Sequence, residues 1–331
     1  MRIGYFYPVG ANRELDSELL RFLKQIGVED IVLSEVPGDP NTGVVDTLDL
    51  VHFRTSCENQ GLRLIAVENI YPQQRSLEAI ILGLPDRDLR LEELLESVRN
   101  IGRAGIPYFA HHWMIPPKQA GSHGVIRTSF DTPARGGASA MSFDIDLARS
   151  LPLFRERQYS AEELWDNYRY FLQCLLPVAD EAGVTIGLHP DDPPITETLG
   201  GIPRIFTSRG AFKRASDLAD KSRSWGLTFC LGNWALIGQD SLGDIVREFG
   251  SQGRINYVHL QATQGTPNRF TECFFDEGDC DFFEVVRVLR EVGFDGTLVP
   301  AHVPRLQGDD ERLLRSFSYA VGYTSALLKR V

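Results

Sequence analysis

The sequence predicts a (β/α)8 barrel, and three observations carry that prediction. Eight short β-type runs alternate with amphipathic helical runs along 331 residues. Most of these runs are apolar throughout, as parallel strands covered on both faces by helices must be. No G-x-G-x-x-G follows the first run, so the phosphate-binding turn of an open doubly wound sheet is missing. Eight β-α units in series make a parallel sheet, and closing it satisfies its edges.

The strand candidates are Arg2–Tyr7, Asp30–Ser34, Arg63–Val67, Tyr108–Met114, Thr185–His189, Thr228–Leu231, Asn256–Leu260 and Thr297–Ala301. Helices are expected at Glu14–Gln25, Leu91–Ile101, Ala161–Ala182, Asp281–Val292 and Asp309–Lys329. In the second of these, Leu91, Leu94, Leu95 and Val98 recur at the spacing that gives a helix one buried face. Gly27, Gly61, Gly105, Gly183 and Gly293 fall where helices should end. A chain of this length is expected to form one domain over 1–331, with a long loop at about 116–153. That loop follows the fourth strand and reads as a lid. The run DDPPITETLGGIPRIFTSRG after the fifth strand reads as a site wall.

Composition narrows the partners. Hydrophobic residues make up 43% and charged residues 24%, which is ordinary for a soluble protein. A formal charge of −11 repels phosphate backbones and anionic membranes, so neither nucleic acid nor membrane is expected as a partner. The five cysteines are scattered without a C-x-x-C pair, which argues against disulfides or a zinc finger and points to a reducing, cytoplasmic compartment. The N-terminus shows no signal-peptide pattern, and no apolar stretch nears the roughly 18 residues of a membrane span. Homo-oligomerisation is left open, because no segment marks an interface.

Chemistry concentrates at strand ends. Of seven histidines, His111, His112, His189, His259 and His302 fall there, while His52 lies on an expected helix and His123 in the long loop. Cys230 ends the sixth strand, and Glu68 and Glu35 end the third and second. In a barrel these ends surround one mouth. His189, Cys230 and His259 would form a mixed nitrogen and sulfur set on successive strands, suited to zinc or another first-row transition metal. A lone buried cysteine is more often a small hydrophobe; the flanking histidines favour a ligand. His189 opens the stiff run His189-Pro190-Asp191-Asp192-Pro193-Pro194, whose carboxylates can orient a metal-bound histidine or bond sugar hydroxyls.

That run, with Gly187-Leu188 before it and Gly201-Ile202-Pro203-Arg204-Ile205 after it, resembles the signature of the mannonate dehydratase (UxuA-type) family. The likeness extends to Phe229-Cys230, to Tyr257-Val258-His259-Leu260 and, more weakly, to Val67-Glu68 and Arg127-Thr128. It implies a xylose-isomerase-like barrel that dehydrates D-mannonate, a sugar acid, to 2-keto-3-deoxygluconate with a divalent metal, usually Mn2+. It puts metal ligands on His189, Cys230 and His259, and a catalytic histidine on His302. Three positions depart from the family pattern. Ala301 stands where an Asp ligand is expected, and Gln261 where an arginine is usual. The loop after the eighth strand has no tyrosine from Val303 to Ser318. From these residues, His302 is expected to transfer a proton, with Asp191 assisting in catalysis. Glu68, His111, His112, Asp192, Asn233 and Gln261 are expected to meet the substrate, and Arg127 or Arg204 to supply the cation for its carboxylate. Two other readings use the same equipment: an isomerase or epimerase of a polyhydroxylated compound, and a non-catalytic sugar-acid-binding paralogue.

Overall fold

The computed structural model describes residues 1–10, 12–71, 74–117, 125–220, 222–238 and 241–331, leaving aside the side chains of 71 and 74–76. His123 lies outside the described residues. In chain order the elements are β1 (Arg2–Pro8), α1 (Ser17–Ile26), β2 (Asp30–Pro37), α2 (Thr47–Glu58), β3 (Arg63–Tyr71), α3 (Gln74–Leu82), α4 (Arg87–Arg103) and β4 (Tyr108–His112). The chain then forms β5 (Ser129–Pro133), β6 (Ser139–Asp144), α5 (Ile145–Ala148), α6 (Ala161–Ala182), β7 (Thr185–His189), α7 (Arg209–Leu218), β8 (Trp225–Cys230) and α8 (Leu231–Ile237). It ends with α9 (Leu242–Gly250), β9 (Ile255–Leu260), β10 (Thr263–Thr266), β11 (Arg269–Glu272), α10 (Phe282–Glu291), β12 (Thr297–Pro300) and α11 (Leu314–Arg330).

Eight parallel strands close in the order β1-β2-β3-β4-β7-β8-β9-β12, so the expected barrel is the observed one. Two expected boundaries move for local reasons. β8 ends at Cys230 because Leu231 starts α8. α11 begins at Leu314 because the Asp309 carboxylate accepts from the backbone N–H groups of Leu306, Arg315 and Ser316, folding the preceding residues into a turn.

The expected irregular lid needs a larger correction. Within 116–153 the chain forms β5 and β6, which join β10 and β11 in a four-stranded antiparallel sheet of order β10-β11-β6-β5. This small sheet draws on two insertions 120 or so residues apart, which no local pattern connects. It is tied to the loop after β12 by an isolated bridge between Ser139 and Arg305.

The opposite, N-terminal face of the barrel is held by charge. Asp30, fully buried at the start of β2, accepts from Arg63 Nη2 at 2.5 Å, Arg2 Nε at 3.2 Å and Thr297 Oγ1 at 2.5 Å, linking β1, β2, β3 and β12. Inside the barrel, Val32, Ala66, Ala110, Tyr257 and Val299 form a packed plug. Between helices and barrel lies the main apolar core, which includes Trp225, Trp234, Phe171 and Phe206.

Helix α6 shows the local logic. Ser160 and Glu163 form a capping box at its start, and Gly183 ends it with φ of 68°. Gly102 of α4 lies so close to the end of α6 that a Cβ there would overlap the Ala182 carbonyl oxygen. Gly102→Ala should therefore force the two helices apart and cost about 1–3 kcal/mol of stability, read as a lower denaturation midpoint.

Candidate active site

Side chains alternate across a strand, and that alternation decides who reaches the mouth. On β9, Tyr257 and His259 point inward; on β3, Ala66 and Glu68 do so after a register shift between Ile31 and Val32 of the neighbouring strand. On β4, Tyr108, Ala110 and His112 face the interior, so His111 must face the helices. It does: His111 packs against Phe109, Trp113, Tyr168 and Phe171, with neither ring nitrogen hydrogen-bonded. The expectation that His111 meets the substrate is thus corrected, because adjacent strand residues cannot share a face. Burial lowers its pKa to about 3, so it is neutral.

A cavity of about 590 Å3 opens at the C-terminal ends of the strands. Glu68, His112, His189, Asp192, His259 and His302 line it, together with Glu272 and Ala301. The ligand atoms of His189, Cys230 and His259 all lie within 4.8 Å of one another. His189 Nδ1 lies 2.7 Å from the Pro190 carbonyl oxygen, which holds the ring hydrogen there and leaves Nε2 bare. That lone pair faces His259 Nδ1 at 3.2 Å. The other nitrogen of His259 sits 3.3 Å from a Glu68 oxygen, close enough to favour its hydrogen on that side though not aligned for a hydrogen bond. In that pair of tautomers two bare imidazole nitrogens face each other beside a thiol. Burial and the neighbouring histidines hold His189 well below its usual pKa, so its ring is neutral. A cation between them resolves the repulsion. Metal–nitrogen bonds of about 2.0–2.1 Å in a tetrahedral site separate two nitrogens by roughly 3.3 Å, so the residues fit a metal.

The supports are carboxylates and amides. Glu68 accepts from Tyr257 Oη at 2.5 Å and lies 3.1 Å from His112 Nε2. Burial pushes its pKa up, yet His259 and His112 outweigh that and hold it well below the usual range. Cys230 donates to Gln261 Oε1 at 2.9 Å and accepts from Asn233 Nδ2 at 3.5 Å. Burial, with Asp192 adding, drives its thiol up, opposed by the backbone amides of Asn233 and Gly232.

Glu272, at the end of β11, was not among the sequence-derived candidates and is the centre of the site's polar network. Its Oε1 accepts from Arg127 Nη2 at 2.6 Å and Nε at 2.9 Å, from Gln261 Nε2 at 3.2 Å, and pairs with His302 Nδ1 at 2.8 Å. The other side of Arg127 forks onto Asp192 at 2.7 and 3.0 Å. Burial alone would lower the pKa of His302, but the Glu272 carboxylate outweighs it and the net shift is upward. His302 also has φ of 52°, as Glu35 and Asn69 have 56° and 60°; all three line the cavity. Backbone in that region is costly for residues other than glycine, and it gathers where function holds it. Tyr257 was also missed; its place beside Glu68 follows from strand alternation and was legible.

Several expectations about substrate contact are corrected by geometry. Arg127 is enclosed by two carboxylates and does not line the cavity. Arg204 is buried behind the wall, 3.7 Å from Asp191 and without a hydrogen bond among the described residues. Asp191 accepts from the Phe206 N–H at 2.7 Å, away from the cavity, and burial pushes its pKa up to about 6. The two successive aspartates diverge, so only Asp192 faces the mouth. Asn233 and Gln261 lie behind Cys230 and hold it rather than a substrate.

The site so built lies at the mouth of a (β/α)8 barrel and includes a His-Cys-His set suited to a metal. A family model for D-mannonate dehydratase (UxuA) matches residues 7–153 and 146–324, and the chain belongs to that family. Mannonate dehydratase 2 of Halalkalibacterium halodurans is 28% identical over 323 residues, covering 90% of each chain. Mannonate dehydratase of Oceanobacillus iheyensis is 28% identical over 89% of this chain and 87% of its own. The crystal structure of mannonate dehydratase from Streptococcus suis superposes with a TM-score of 0.83 at 26% identity, over 100% of this chain and 95% of that one. Family membership makes the chain a hydro-lyase. Isomerase-type neighbours, such as the D-psicose 3-epimerase of Clostridium cellulolyticum H10 at TM-score 0.62 and 13% identity, covering 99% of each chain, share the barrel alone. No helix among the described residues is long and apolar enough to cross a membrane.

The split between His111 and His112 is testable. His111→Phe should leave metal content and activity intact and hold or raise the melting temperature, since it replaces a buried polar ring lacking partners. Elemental analysis and a melting curve decide it, and a loss of bound metal in His111→Phe contradicts the assignment.

Proposed function

We propose that this protein dehydrates D-mannonate, or a closely related aldonate, to the 2-keto-3-deoxy acid. The observation that carries this reading is one cavity lined by His189 and His259, whose ligand atoms lie within 4.8 Å of the Cys230 sulfur behind them, and by the His302–Glu272 pair. In the overall reaction the C2–H and C3–O bonds break, a C2=C3 bond forms, and a proton and hydroxide leave as water. The resulting enol becomes the keto acid without any oxidant or reductant.

His302 moves the proton. Glu272 orients its ring through Nδ1 and leaves the other nitrogen toward the cavity, where a proton can be taken or given. Asp192, Glu68 and His112 face the cavity and bond hydroxyls. Arg127 holds the Asp192 carboxyl below its usual range and bonds both Asp192 and Glu272, fixing them in place. A divalent metal held by His189, Cys230 and His259 supplies a Lewis acid for the charge that develops on oxygen. Resemblance points to Mn2+, but the chemistry of the donors favours a softer ion. With Ala301 in place of a carboxylate, two imidazoles and a thiolate suit Zn2+ better than a hard cation. The enzyme is expected to work in the cytoplasm, where the free thiols stay reduced.

Incubating the metal-loaded enzyme with D-mannonate should yield a 2-keto-3-deoxy acid, and no such product from any aldonate would overturn the proposal. His302→Asn should lower kcat by about 10²- to 10⁴-fold. Glu272→Gln removes the charge that raises the pKa of His302, so the pH-activity limb belonging to His302 should move to lower pH. Protein purified from rich medium should carry zinc in preference to manganese, and Ala301→Asp should reverse that order in competitive metal binding.

A further inference from the structure

A cavity meant for an anion is here lined by carboxylates. Glu35, Glu68, Asp131, Asp192, Glu272 and Glu311 all border it. The sequence-level choices for a balancing cation, Arg127 and Arg204, both sit behind its wall. Among the described residues, Arg305 is the one lysine or arginine in the lining.

Its setting suits a binding role. The main chain of Arg305 is clamped to the small sheet: its N–H donates to the Ser139 carbonyl at 2.7 Å, and its own carbonyl accepts from the Ser139 N–H at 3.1 Å. Among the described residues the guanidinium donates once, from Nη2 to the Asp310 carbonyl at 3.0 Å, and makes no ion pair with a carboxylate. The remaining N–H donors stay available. A guanidinium fork is matched to a carboxylate, which it grips with two parallel hydrogen bonds. Most arginines of this chain already spend that capacity on Asp or Glu.

We propose that Arg305 binds the carboxylate of the sugar-acid substrate and so sets its orientation in the cavity. The inference rests on the dehydratase reading and adds a direction to it. Arg305 and His302 belong to one short loop after β12, three residues apart. Arg305, His302, Glu68 and His112 all line the cavity, so a carboxylate on Arg305 would leave His302 for the adjacent carbon and Glu68 and His112 for the hydroxylated tail. Arg305 is a binding residue in this scheme; it takes no part in proton transfer.

The test uses the metal-loaded enzyme and two ligands of equal length, D-mannonate and its uncharged polyol counterpart D-mannitol. Dissociation constants from calorimetry should show wild type favouring the acid. Arg305→Gln should lose on the order of 10- to 100-fold in affinity for the acid with little change for the polyol. Arg305→Lys should recover part of the preference, since it keeps the charge without the fork. In turnover, the loss should fall on KM more than on kcat. Equal affinity for acid and polyol in wild type, or an unchanged preference in Arg305→Gln with its melting temperature intact, overturns the inference. Wild type that prefers the acid through Arg305 yet forms no 2-keto-3-deoxy product leaves this inference standing and removes the dehydratase reading instead.

Discussion

The Arg127 guanidinium, wedged between Asp192 and Glu272, is the interaction on which the site depends. Its three members come from distant parts of the chain: Arg127 from the insertion before β5, Asp192 from the loop after β7, and Glu272 from the end of β11. Two buried carboxylates that share one guanidinium would repel each other without it. The arginine prevents that, and its own charge is held by the pair against the cost of burial. Removing one member of such a group leaves an uncompensated buried charge, so the arrangement is all or nothing. Through it the small antiparallel sheet is locked over the barrel mouth, and Glu272 is delivered to His302.

The same network explains how the site tolerates two departures from the family pattern. By the family resemblance, Ala301 stands where a negative charge is expected and Gln261 where a positive one is. The two changes cancel in net charge. Gln261 keeps a structural duty, since it contacts both the Cys230 thiol and the Glu272 carboxylate. The wall next to Gln261 is also tight, because a Cβ at Gly232 would meet the Gln261 side chain at 2.7 Å. A longer arginine in that place would need other room. The site is therefore a coherent rearrangement of the family's equipment.

Much of this was legible in one dimension. The eight parallel strands could be read because each is a short apolar run with its own helix and turn, and such signals are local. The convergence of His189, Cys230 and His259 followed from strand order, since parallel strands in a barrel deliver their C-terminal residues to one mouth. His111 shows where the reading failed for a reason that was itself available: a period of two puts neighbours on opposite faces. Glu272 was not legible. It sits in a short strand of a sheet assembled from two separated insertions, and nothing in its neighbourhood marks it as different from any other surface glutamate.

Sequence by itself determined the barrel, the mouth at which its chemistry gathers and the three residues suited to a metal, because these rest on local periodicity and on the order of the strands. Tertiary structure alone decided which polar groups face the cavity and which stand behind it. Arg127, Arg204 and Asp191 look as available in the sequence as Arg305 and Asp192 do. Their roles separate only when buried charges must find partners, and that pairing is settled by contacts between segments far apart in the chain.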